Sequence, residues 1–171
     1  MCSGTFKQPK TSTNERVENF RKGESEMRSL QRSLFDELKE LRTILQKGWS
    51  ERTTYDAENY PYAGHSYGQC YVTARALNYV FGWKILHTRR NGANHYWNVL
   101  PDGTEVDFSS DQMGGNGIFI VPSMEGTGKP RIFKPFGENF KNCNPRLKRY
   151  LREVVPKLES EHKCYSGLIS K

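Results

Sequence analysis

The spacing of the apolar runs between Trp83 and Phe108 constrains the fold most. Trp83–His87, His95–Leu100 and Thr104–Phe108 each read as a strand. Asn91-Gly92 and Pro101-Asp102-Gly103 supply the turns between them. Parallel strands need a crossover of about a dozen residues or more, so these runs pair antiparallel. Upstream, Gln69–Phe81 has a helical period, with Ala74, Leu77, Val80 and Phe81 on its apolar face and Gly82 at its end. Ile118–Val121 reads as a short strand, and Arg131–Phe136 as another. The order predicts an α+β core in which a cysteine-bearing helix packs on an antiparallel sheet.

Residues 49–140 hold this core, and the flanks differ from it. Residues 1–23 read as a flexible lead, polar and without periodicity over 1–15. Helix 24–48 follows, with Met27, Leu30, Leu34, Leu38, Leu41 and Leu45 in one stripe and Lys47-Gly48 closing it. That stripe packs on its own domain or pairs with another helix. Trp49–Ser66, rich in Tyr, Pro and Gly, reads as an ordered loop. Residues 141–171 form a basic end, with a helix over Arg146–Leu158 interrupted at Pro156.

Length and composition then narrow the function classes. A chain of 171 residues builds one domain with appendages. It has no apolar run of about eighteen residues and no secretory pattern, so a cytoplasmic protein without a membrane span is expected. Four cysteines, at 2, 70, 143 and 164, contain no CxxC, which argues against a disulfide scaffold or zinc ribbon. The net charge of +7 is uneven: residues 1–50 carry +3, 51–130 carry −2 and 131–171 carry +6. The basic end reads first as a solvated helix surface. Nucleic acid or an acidic partner is its other use, and the aromatics interleaved with basic residues over Arg131–Phe140 fit that use.

The chemistry centres on Tyr67-Gly68-Gln69-Cys70. Cys70 stands where the helix begins, and a helix N-terminus favours a thiolate and offers free N–H groups to an oxyanion. A thiol nucleophile wants a histidine base, and the histidine wants an orienting acid. Asn94-His95-Tyr96-Trp97-Asn98 and Glu105-Val106-Asp107 supply both, subject to register. With a three-residue loop, Leu100 faces Thr104, Trp97 faces Asp107, and His95 lies one diagonal away on the same face. A two-residue loop puts Asp107 on the opposite face from His95. The triad therefore requires the three-residue loop.

These residues are similar to the active-site segments of transglutaminases, and more closely to the YunG family of small bacterial proteins. The resemblance runs over Trp49-Ser50, Thr53 to Asp56, Tyr67 to Cys70, Val72 to Ala74, His95 to Asn98, Leu100 to Thr104, Val106-Asp107 and Asp111-Gln112. It implies a transglutaminase-like or papain-like fold, with Cys70 as nucleophile, His95 as base and Asp107 as the orienting residue. Gln69, Trp97 and Asn98 are neighbouring candidates for substrate or oxyanion contacts. The Gln69 amide lines an oxyanion site or ties down its loop. Trp49 and Trp97 are safer as core, and Asn98 faces away from His95 in the required register.

Other candidates rank lower. His65 reads as surface loop, His87 as a structural strand residue and Asp111 as a loop cap. A zinc site from Cys70, His65, His87 and His95 fits no common spacing. Cys2 as an N-terminal nucleophile lacks a following strand, and Cys143 and Cys164 have no partner motif. Gly114-Gly115-Asn116-Gly117 lacks the ending of a phosphate loop. The expected activity is acyl transfer from a protein or peptide amide through a Cys70 thioester, to water or to an amine, with no cofactor and no metal demanded. The competing reading is a binding protein on a lapsed enzyme fold.

Overall fold

Helices form where the apolar period is near 3.6 and strands where it is near two. The computed structural model describes residues 13–90, 92–113, 118–121, 129–133, 136 and 140–161. The chain divides into two units, Met1–Asp36 and Glu37–Lys171. Over its described residues the first unit is the leading part of helix α1, Thr13–Gln46. This helix starts at Thr13 rather than Glu24. Met27, the first residue of the proposed stripe, is 64% exposed, so the stripe is not buried at its leading end.

In the second unit α1 continues with Leu38, Leu41 and Leu45 fully buried. A short helix α2, Tyr60–Ala63, interrupts the expected loop. Helix α3, Cys70–Phe81, ends at Gly82 in the left-handed region at φ +71°. Strands β1 (Lys84–Arg90), β2 (Ala93–Val99), β3 (Glu105–Asp107), β4 (Phe119–Val121) and β5 (Lys129–Pro130) follow. They form one antiparallel sheet in the order β4-β3-β2-β1-β5. The strand expected over Arg131–Phe136 is instead the two-residue β5, which stops before Arg131. Its Pro130 occupies an edge strand, where a missing N–H is tolerated.

Helix α4, Pro145–Glu161, runs through Pro156 without interruption. The exposed proline forfeits one backbone hydrogen bond. Val154, Val155 and Leu158, all buried, hold the turns on either side of it in place. Tyr150 of α4 donates its hydroxyl to the Leu45 carbonyl (3.1 Å), so α4 closes over the end of α1. The approach is tight at Gly48, where an added Cβ would stand 2.4 Å from Val154 Cγ2. Asn98 of β2 donates to the Ala74 carbonyl (3.1 Å), and Tyr71 meets Tyr96 edge to face at 5.3 Å, so α3 packs on β2. Among the described residues no helix is long and apolar enough to cross a membrane. Cys2, Cys164 and the segment Gly114-Gly115-Asn116-Gly117 lie outside the described residues.

Candidate active site

Cys70 is the first residue of α3 and is buried. Its placement is fixed by the three residues before it, each held from a different direction. Thr54 Oγ1 donates to the Tyr67 carbonyl (2.8 Å). The Gly68 N–H donates to Gln112 Oε1 (3.2 Å), and the Gly68 carbonyl accepts from the Tyr55 N–H (3.3 Å). Gly68 has φ +68°, and an added Cβ there would stand 2.1 Å from Thr54 Oγ1. A side chain is excluded both by the backbone conformation and by the lack of room. Gln69 is fully buried; its Oε1 accepts from Thr53 Oγ1 (3.0 Å) and its Nε2 donates to the Ser50 carbonyl (2.9 Å). As the first helical residue, Cys70 sits among N–H groups that no carbonyl within α3 can satisfy.

The histidine and the acid come from the hairpin. Asn98 pairs with Val106 and Val99 with Glu105, and the Leu100 N–H donates to the Thr104 carbonyl (2.8 Å). This is the register of the three-residue loop. Carried one step further, it sets Trp97 opposite Asp107 and His95 on the diagonal. His95 Nε2 lies 2.7 Å from Asp107 Oδ2. Asp107 Oδ1 accepts from both the Ser109 N–H and the Ser109 hydroxyl, each at 2.9 Å. The carboxylate is thereby locked at both oxygens. Trp97 stacks on the His95 ring (centroids 5.8 Å apart, planes 26° apart), and its indole N–H donates to Glu105 Oε2 (2.7 Å).

The electrostatics join the three groups. Burial works against a charged His95, but hydrogen bonding and negative charge from Asp107, and then from Cys70, outweigh it and raise its pKa to about 10. The imidazole is therefore held protonated at neutral pH. Nε2 faces Asp107, which leaves Nδ1 for the thiol. Cys70 Sγ also lies 3.9 Å from the Asn94 carbonyl oxygen. Cys70 opens onto a cavity of about 550 Å³, with Tyr55, Tyr71 and Tyr96 among its walls.

The other sequence candidates are used elsewhere. Gln69 has both amide ends committed to the Ser50–Thr53 loop, so it ties that loop down and does not face an oxyanion. Trp97 is buried and backs the imidazole ring rather than a substrate. Asn98 points to the alternate side of β2 and bonds α3. Asp111 pairs with Arg42 (2.9 Å), whose Nε donates to the Phe108 carbonyl (3.0 Å). His65 is exposed, with its Nδ1 3.0 Å from the Tyr60 hydroxyl, and His87 lies beside Tyr96. Trp49 donates to Thr73 Oγ1 (2.9 Å) within the core. Sequence reasoning gave no role to Thr54, Ser109 and Gln112. Ser109, two residues after Asp107, carries the spacing of an Asx turn; the contacts of Thr54 and Gln112 are long-range, and the signal for these two residues was their place in the segments that resemble the YunG family.

A family model described as YunG protein matches residues 37–149. The chain belongs to the YunG family. The YunG match begins at Glu37, where the second unit begins, and contains Cys70, His95, Asp107 and every residue that anchors them. The YunG segments quoted from the sequence converge in space: Ser50, Thr53 and Thr54 hold the Tyr67–Gln69 approach to Cys70 from one side, and Gln112 holds it through Gly68. No curated protein and no solved structure matches the chain.

Proposed function

We propose that this protein is a cysteine-dependent acyl-transfer enzyme on a transglutaminase-like or papain-like core, working in the cytoplasm on a protein or peptide amide. The observation that carries the reading is the hydrogen-bonded His95–Asp107 pair set against a cysteine at a helix N-terminus. In this mechanism the Cys70 proton resides on His95, and the imidazolium stabilises the thiolate beside it. The sulfur attacks the substrate carbonyl carbon, and first-turn N–H groups of α3 hold the oxygen as it becomes negative. The C–N bond then breaks, and the His95 proton passes to the departing amine. Asp107 keeps Nε2 bonded so that Nδ1 serves the reaction. Water or a second amine, giving its proton to His95, attacks the thioester and releases the acyl group. The free thiolate and the imidazolium are thereby restored.

Labelling with iodoacetamide tests this reading. Cys70 is expected to react faster at neutral pH than the other three cysteines, despite its burial, and His95→Ala is expected to slow it. Equal reactivity at all four cysteines would sink the enzyme reading.

A second reading, anionic-partner binding by the basic end, is favoured by one feature. Lys148, Arg149 and Arg152 of the basic end, together with Lys47 and the single acid Glu153, are among the described residues that line a separate cavity of about 650 Å³ at the junction of α1 and α4. Salt-sensitive binding of nucleic acid that survives Cys70→Ala would support it.

A further inference from the structure

We propose that the cavity beside Cys70 takes an acyl donor that carries a carboxylate close to its scissile carbonyl, with Arg146 and Arg131 as the recognising groups. This rests on the reading of Cys70 as nucleophile and adds the class of substrate.

The cavity, at about 550 Å³, is of the size that holds a small-molecule or dipeptide-like ligand. Both guanidinium side chains line it, and among the described residues no Asp or Glu does. The Nη1 nitrogen of Arg146 is buried and has no hydrogen-bond partner among the described residues. Such a donor is costly to leave unmet, and a rotation of the guanidinium toward the cavity would bring it to an anionic acceptor there. Two helices also begin at this cavity. Cys70 and Tyr71 open α3; Asn144, whose Oδ1 accepts from the Leu147 N–H (2.9 Å), caps α4 just before Arg146. Both N-termini add partial positive charge. The charge of Arg131 reaches the Tyr96 phenol, where it opposes the rise in pKa that burial causes.

The remaining walls are aromatic. Tyr71, Tyr96 and Phe133 line the same space and contact one another edge-on or tilted. A guanidinium binds a carboxylate through a planar fork, while these rings accept an apolar body. The carboxylate can be a chain terminus or an acidic side chain, and the recognition chemistry is the same.

Three probes separate the possibilities, measured by calorimetry on the full chain carrying Cys70→Ser. They are N-benzoylglycine, with a terminal carboxylate, N-benzoylaspartic acid α-amide, with a side-chain carboxylate, and the neutral N-benzoylglycinamide. At least one anionic probe is expected to bind about 10-fold or more tighter than the neutral one, as a charge-assisted hydrogen bond predicts. The tighter of the two assigns the source. Arg146→Gln should abolish the preference. Arg131→Gln, at an exposed position, should weaken it even if the Arg146 variant folds poorly. Equal binding of all three probes, or a preference untouched by both variants, overturns the proposal. A carboxylate preference alongside an unreactive Cys70 in the iodoacetamide experiment would instead keep the anion site and remove the enzyme reading.

Discussion

Asp107 commits one oxygen to His95 and the other to Ser109, so its orientation does not depend on solvent. Asp107→Asn keeps the shape and removes the charge. Cys70-dependent acylation is expected to fall on the order of 10²–10⁴-fold while the fold persists by circular dichroism. The same pair makes stability pH-dependent. The folded pKa of His95, raised to about 10, lies above the ordinary histidine value of 6.5. The contribution is therefore complete below about pH 6.5 and is lost as pH rises through about 10. Urea midpoints of the wild type should fall over that interval more than those of His95→Gln; parallel curves would contradict the pairing. At Gly68 the constraint is steric, and Gly68→Ala should destabilise by more than ~1 kcal/mol in equilibrium unfolding, because both φ and the Thr54 contact oppose a methyl group.

The hairpin between β2 and β3 turns local sequence into a site. Removing one residue from Pro101-Asp102-Gly103 should slip the register by one and send Asp107 to the face away from His95. Iodoacetamide labelling of Cys70 should then lose its dependence on His95, with secondary-structure content little changed. This register was legible because strand alternation and a Gly-containing turn are encoded within a few neighbouring residues. The C-terminal limit of α3 was legible for a similar reason: Gly82 directly follows the apolar face of Ala74, Leu77 and Phe81. What escaped depends on distant partners. Gln69 was open between two roles until Ser50 and Thr53 took both ends of its amide. The two-residue β5 exists only by pairing with Leu86 and His87. Helix α4 survives Pro156 because the buried side chains around the proline outweigh the lost hydrogen bond. The start of α1 at Thr13 lies in a polar stretch without an apolar stripe, so periodicity did not find it.

At the scale of the whole molecule, the YunG match and the second structural unit both begin at Glu37. A chain lacking residues 1–36 is expected to unfold cooperatively and to keep the preferential labelling of Cys70. Loss of either would mean that the first unit contributes to the core. Within the second unit, Leu41→Ala should cost about 2–5 kcal/mol, since a fully buried leucine leaves a cavity. The net charge of +7 also divides between uses: the cations at the junction of α1 and α4 lie at one cavity, while Arg131 and Arg146 line the wall beside Cys70. The central claim is that Cys70 carries an acyl group with help from His95. Intact-mass analysis after brief exposure to a p-nitrophenyl ester tests it most directly. A single acyl group on Cys70, slow to form in His95→Ala and absent in Cys70→Ala, is the expected result. Acylation spread over lysines and cysteines alike, or unchanged in His95→Ala, would contradict it.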